Sequence, residues 1–214
     1  MTSLEILARL RRLGLDAVTT ADTAAAIGLS VPAASHALRR LAAVGLVTPI
    51  RKGLWALPDR VDPLSLADYV TAPYPSYVSL QTALYQHGMI EQIPEMTYLV
   101  SLARSSRIDT GVGTYSVHHV QPELFGGFTV DRDSGIKMAT PEKALVDFLY
   151  LSPTRTRLFA SLPELTLPSG FRMREVRDWL NRIATSRLRT IATERLNSIL
   201  ASSDRTRVSD AHRR

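Results

Sequence analysis

Residues 30–53, SVPAASHALRRLAAVGLVTPIRKG, hold the most informative pattern in the chain. Ser30 suits an N-cap, Pro32 falls in the first turn where a missing N–H costs nothing, and Gly45 supplies the stop. The spacing therefore predicts a helix between them. Ala34, Leu38 and Leu41 recur at i, i+4 and i+7 and form its buried face, which turns Ala33, Ser35, His36, Arg39 and Arg40 toward solvent. A recognition helix needs that order of side chains: small ones near its start let it approach the major groove, and polar and cationic ones reach base edges or phosphates. Val47–Ile50 and Leu54–Leu57 then read as two short strands joined by Arg51-Lys52-Gly53, with Pro49 confining the first to a sheet edge. Trp55 reads as hairpin core in preference to a base-stacking platform.

Upstream, Leu4, Leu7, Ala8, Leu10 and Leu13 have helical spacing and Gly14 follows them. Thr19 or Thr20 can cap a short second helix ending at Ile27, with Asp22 in its first turn, and Gly28-Leu29-Ser30 makes a tight turn into the third. Helix, helix, turn, helix and hairpin in this order predict a winged helix-turn-helix DNA-binding domain over residues 1–60. Its DNA-binding residues would be Ala33, Ser35, His36, Arg39 and Arg40 on the helix, with Arg51 and Lys52 at the wing tip. A basic three-helix element that only packs against another surface is the competing reading.

Downstream the pattern is mixed. Pro63 can start a helix through Leu66 to Val70, broken by Pro73-Tyr74-Pro75, and Ser76 can cap another carrying Leu80, Ala83 and Leu84 as far as Gly88. Strands are expected over Tyr98–Leu102, Thr114–Val120, Phe128–Val130 and Ile136–Ala139. Thr140-Pro141-Glu142 is a helix opening, with Ala144, Leu145, Phe148 and Leu149 as the buried stripe. From residue 171 helical spacing returns in Val176, Trp179, Leu180 and Ile183, then Leu196, Ile199 and Leu200. The expected fold class is α+β: a winged helix-turn-helix, then a mixed α/β domain over 61–204 with a small antiparallel sheet and C-terminal helices, then a disordered tail over 205–214. Arg172, Arg174, Arg177, Arg182, Arg187, Arg189 and Arg195 crowd the polar side of those last helices. Their planar guanidinium forks fit either the DNA backbone or an acidic protein surface.

The formal charge of +6 is unevenly spread: +4 over residues 1–60, −5 over 61–150 and +7 over 151–214. Cationic ends around an acidic middle suit nucleic-acid contact at the ends and a separate task between them. With no cysteine among 214 residues, disulfides, thiolate metal sites and cysteine nucleophiles are excluded, and a reducing cytoplasm suits the composition. Glu5, Arg9, Arg11 and Arg12 interrupt the apolar residues at the start, unlike a signal peptide, and no apolar run approaches the ~18–20 residues that span a bilayer.

No catalytic constellation is apparent, and an enzyme is not expected. His118-His119 is the one adjacent histidine pair, but neighbours on a strand face opposite ways, so a shared metal is not expected; a pairing of one of them with Asp131 or Asp133 on a neighbouring strand is the alternative. Ser134-Gly-Ile-Lys137 matches S-x-x-K only by letter, since it reads as a turn entering a strand. Thr110-Gly-Val-Gly-Thr114 lacks both the third glycine of a dinucleotide fingerprint and the Lys-Ser/Thr of a P-loop, and reads as a hairpin turn. Neither a metal nor a cofactor is implied.

The winged-helix start, Asp62-Pro63-Leu64, Ala72-Pro73-Tyr74-Pro75-Ser76-Tyr77-Val78-Ser79-Leu80, His87-Gly88-Met89-Ile90, Pro122-Glu123-Leu124-Phe125-Gly126 and Met138-Ala139-Thr140-Pro141-Glu142-Lys143-Ala144-Leu145 together resemble the AbiEi family of abortive-infection type IV antitoxins. The resemblance covers most of residues 1–200, and the last of these motifs is its most specific part. It implies an N-terminal DNA-binding domain that represses its own operon through operator DNA, an arrangement open to a homodimer on the DNA, and an antitoxin domain that counters a nucleotidyltransferase toxin encoded beside it. A module that neutralises the toxin by direct contact without binding DNA is the alternative.

Overall fold

Thr2 opens the first helix through a reciprocal cap: its hydroxyl accepts from Glu5 N–H while the Glu5 carboxylate accepts from Thr2 N–H at 2.8 Å. The structure is a computed structural model and describes residues 2–57, 61–151 and 165–211. Helix α1 (Ser3–Arg11) is followed by a strand that the sequence did not announce, β1 (Ala17–Thr19). Thr19 both ends that strand and caps α2 (Thr20–Ile27), exchanging two hydrogen bonds with Asp22 at 3.0 Å each. Helix α3 (Val31–Ala43) starts at Ser30, with Pro32 in its first turn. Strands β2 (Thr48–Arg51) and β3 (Leu54–Ala56) join β1 in an antiparallel sheet ordered β1-β3-β2, which leaves Pro49 on an edge strand. Ile6, Leu10, Val18, Ile27, Ala34, Leu38, Leu41 and Trp55 fill the space among the helices and the hairpin.

A 3-10 turn at Pro63–Leu66 leads into α4 (Ala67–Thr71). Ser76 is not the helix cap expected of it. It begins β4 (Ser76–Val78), and α5 (Leu80–Gln86) follows from Ser79. Next come β5 (Thr97–Ser101), β6 (Ser106–Thr110), β7 (Gly113–His119), β8 (Phe128–Val130) and β9 (Lys137–Ala139). With β4 they form a sheet ordered β6-β7-β5-β4-β9-β8. The small antiparallel sheet of the sequence reading is thus six-stranded and mixed: β6·β7, β5·β4 and β9·β8 are antiparallel, whereas β5·β7 and β4·β9 are parallel. The parallel pair β5·β7 arises because β6 folds back on β7 at the sheet edge, so that β7 runs with β5.

Thr140 caps α6 (Pro141–Leu151), its hydroxyl accepting from Lys143 N–H at 3.2 Å. Helices α7 (Met173–Asn181) and α8 (Ser186–Ala211) complete an α+β fold. The backbone is helical to Ala211, so residues 205–211 of the expected disordered tail over 205–214 continue α8, and 212–214 lie outside the described residues. Helix α6 lies between α5 on one side and α7 and α8 on another, and nearly all of it is buried. No helix among the described residues is long and apolar enough to cross a membrane.

The expected domain boundary lies between residues 60 and 61, next to residues 58–60, which lie outside the described residues, and the parts on either side of it share a core. Ala17, Ile50, Leu54 and Ala56 from the three-stranded sheet pack in one apolar cluster with Leu66, Val70, Val78, Leu99, Tyr115 and Val117. Tyr115 donates to the Pro63 carbonyl at 2.9 Å. The β6–β7 turn rests so closely on β2 that a Cβ at Gly111 would overlap Thr48 Cγ2 and come within 3.2 Å of the Pro49 carbonyl.

Candidate nucleic-acid interface

Helix α3 presents its predicted faces. Ala34, Leu38 and Leu41 are buried, joined by Ala37, while His36, Arg39 and Arg40 are exposed and Ala33 and Ser35 are half-buried. Arg39 reaches back along the helix and donates to Ser35 Oγ at 3.2 Å, so the two form one stripe at i, i+4 spacing. Between Asp22 and Asp59 the chain contains no acidic residue. Among the described residues Arg39, Arg40, Arg51 and Lys52 form no ion pair, so this stretch carries four cations and no acid of its own.

The hairpin turns at Lys52-Gly53, where Gly53 has φ of +78°, a conformation open to glycine and strained for other residues. Its strand is fastened to α2: Gly53 O accepts from Thr20 N–H at 2.9 Å, and the buried Trp55 indole donates to Thr20 Oγ1 at 3.1 Å. Trp55 is thus a core residue, as its position in the hairpin suggested. The two hairpin cations have different settings. Arg51 leans toward the middle of the chain and donates through both terminal nitrogens to the Ala72 carbonyl, at 3.3 and 3.4 Å. Lys52 is exposed and has no partner among the described residues.

The C-terminal arginines are divided in the same way. Arg172 pairs with Glu175 at 2.9 Å, Arg174 approaches Asp178 at 3.9 Å, and the Arg182 guanidinium lies 4.1 Å from the Trp179 ring centroid. Arg189 donates to the Ile183 carbonyl at 3.0 Å, bridging from α8 to the end of α7. Arg177 and Arg187 are exposed and have no partner among the described residues.

The histidine pair faces two ways, as the strand geometry required. His118 is half-buried, stacked on Tyr98 with ring centroids 6.1 Å apart and its Nε2 2.9 Å from Ser116 Oγ; burial lowers its pKa from 6.5 to about 4. His119 is exposed, with Nδ1 3.2 Å from the Ala103 carbonyl. The pairing with Asp131 or Asp133 does not occur, because β7 and the β8–β9 turn lie at opposite sides of the sheet. Asp131 instead accepts from Asp133 N–H and from both donors of Ser134, bonds that hold its carboxyl below the usual range. Lys137 pairs with Asp68 at 2.7 Å, so both ends of the S-x-x-K match have structural partners.

What the sequence concealed is a charged cluster inside the second half. Lys143 and Asp147 form an ion pair one helical turn apart, with 0% and 1% of their surfaces exposed. Tyr77 and Ser79 hydroxyls donate to the Asp147 carboxylate at 3.0 and 2.8 Å, and the Lys143 ammonium donates to Tyr77 Oη at 2.8 Å while lying 4.9 Å from the Trp179 ring centroid. Burial pushes the Lys143 pKa down and the adjacent carboxylate opposes that shift. The neighbouring Glu142 is also buried and accepts from Arg172 N–H at 2.8 Å, at the start of α7. Ser79 precedes Leu80, whose φ of +53° is uncommon for a side chain of that bulk. The cluster joins α6 to the end of β4 and to α7, and its charges are satisfied within the protein; it is a clamp. An amphipathic reading of α6 places Lys143 and Asp147 in solvent, whereas in the fold Asp147 meets Tyr77 and Ser79 and Lys143 meets Tyr77 and Trp179 of α7.

No protein-family model matches this chain, and no curated protein matches it.

Proposed function

We propose that the chain is a sequence-specific DNA-binding antitoxin of the AbiEi type, acting in the cytoplasm. In this reading residues 2–57 are a winged helix that binds operator DNA and represses the chain's own operon, and the remainder counters a nucleotidyltransferase toxin without itself being a catalyst. The observation that carries the proposal is the acid-free segment from α3 through the hairpin, with His36, Arg39, Arg40 and Lys52 exposed on it. Helix α3 would enter the major groove with Ser35, His36 and Arg39 toward the bases, while Arg40 and Lys52 hold phosphates. Arg51, exposed on the same hairpin, donates to the Ala72 carbonyl and would have to leave that bond to hold a phosphate as Lys52 does. Each phosphate neutralised should contribute roughly −0.9 to the slope of log K against log salt. Footprinting on the DNA upstream of the gene should show protection, and Arg40→Ala and Lys52→Ala should each flatten the salt slope by about one phosphate's share. Protection that is absent, or slopes unchanged in both variants, would reject the DNA-binding role.

Arg177 and Arg187 support direct engagement of an acidic partner surface by the second half. Deleting α7 and α8 is unsuited to testing this, because Val176, Leu180, Ile183, Ala192 and Leu196 belong to the main core. Arg177→Glu with Arg187→Glu leaves that core intact. The double substitution should abolish rescue from the toxin and spare footprinting if the contact is with toxin, and weaken the footprint if the contact is with DNA.

A further inference from the structure

The N-terminal tip of α3 exposes apolar side chains. Leu29 and Val31 are 40% and 52% exposed, and Pro32 beside them is exposed as well. The polar groups nearby are engaged: Ser30 Oγ accepts from Ala33 N–H, and Ser35 Oγ accepts from Arg39. Val31, Ser35 and Arg39 succeed one another at four-residue intervals, one stripe about 12 Å long at 1.5 Å per residue. It therefore presents a branched hydrocarbon at one end and a guanidinium at the other, on a segment without acidic residues. A polyanionic partner matches the charge, and on the floor of a major groove the apolar group available to meet Val31 is the C5-methyl of thymine.

Building on the DNA-binding role above, we infer that Val31, flanked by Leu29, selects thymine in the half-site by contacting its methyl group, with Arg39 contacting a guanine or phosphate further along the same groove. Sequence choice at the start of α3 then comes from hydrocarbon contact, and hydrogen-bonded readout begins further along, at Ser35, His36 and Arg39.

The test uses the full chain and a random-sequence duplex library. Bound duplexes are selected, resynthesised with deoxyuridine replacing individual thymidines, and compared by equilibrium binding. Deoxyuridine pairs as thymidine does and lacks only the methyl, so at the contacted position affinity should fall about fourfold, the value of one buried methyl-sized group. Val31→Ala, a change at an exposed position, should bind the thymidine and deoxyuridine duplexes equally while keeping the wild-type salt slope. If the wild type selects a sequence but binds both duplexes alike, or if Val31→Ala still senses the methyl, thymine reading is overturned and DNA binding stands. If no sequence is enriched and binding does not weaken with salt, DNA binding fails too, and the apolar tip is then a protein-contact surface.

Discussion

Lys143 shows how a residue's setting can outweigh its type. Its ammonium is fully buried, paired with Asp147 and bounded by the rings of Tyr77 and Trp179. A buried pair of this kind offers little net gain over apolar side chains of similar volume, yet removing one partner strands the other charge. Asp147→Asn and Lys143→Met should each therefore lower the free energy of unfolding by about 3–5 kcal/mol, whereas Lys143→Met with Asp147→Leu should recover much of that loss. Urea titrations of the four proteins would check both statements. His118 gives a pH prediction of definite sign. Its folded-state pKa of about 4 lies below the unfolded 6.5, so between these values the unfolded chain binds a proton that the native one excludes. Stability should fall as pH drops from 6.5 toward 4, by on the order of 3 kcal/mol from this group, and His118→Gln should remove that part of the pH dependence. Thermal midpoints at pH 4.5 and 7 for the two proteins measure it.

At the scale of elements, the β6–β7 turn makes a close contact between the two halves. Gly111→Ala should cost about 1–3 kcal/mol, since the added methyl meets Thr48 Cγ2, and Thr48→Ser should restore most of the loss by removing that atom. Denaturant midpoints of the single and double variants would show whether the contact behaves so. The elements with chemical punctuation were legible in advance: Ser30 with Pro32 and Thr140 with Pro141 open α3 and α6 as expected, and of the two threonines that could cap α2 the structure uses Thr19, with Asp22. Those without it were not. Strand β1 is three residues long, too short for alternation to register. Strand β4 follows a run of prolines and opens with a serine, which mimics a helix cap, and β6 (sequence SRIDT) is a largely exposed edge strand with little apolar signal. The candidate interface divides similarly. Exposure of His36, Arg39 and Arg40 follows from helical period alone, whereas the turning of Arg51 to Ala72 depends on a residue 21 positions away that periodicity does not reach.

For the whole molecule, the sequence suggested a DNA-binding module strung before a second domain, and the shared apolar cluster makes the two interdependent. Ile50, Leu54 and Ala56 would lose their covering if the N-terminal unit stood alone, and Val78, Leu99 and Val117 would lose part of theirs. Unfolding should accordingly be one transition. The protein's two tryptophans stand on opposite sides of the junction, Trp55 in the N-terminal hairpin and Trp179 on α7, so Trp55→Phe and Trp179→Phe isolate a reporter for each half. Corrected for the stability change of each substitution, the two fluorescence transitions should share one midpoint and one slope; separated transitions would contradict a common core.

The seam of Ala17, Ile50, Leu54, Leu66, Leu99 and Tyr115 also bears on how such a chain can be re-engineered. Its first sixty residues are no detachable cassette. Grafted onto a foreign effector they would carry a raw apolar flank, and a successful transplant would have to bring the β6–β7 ribbon and α4 along as upholstery. Swapping specificity by rewriting the outward side of α3 in place is the more tractable route, since it leaves that seam untouched.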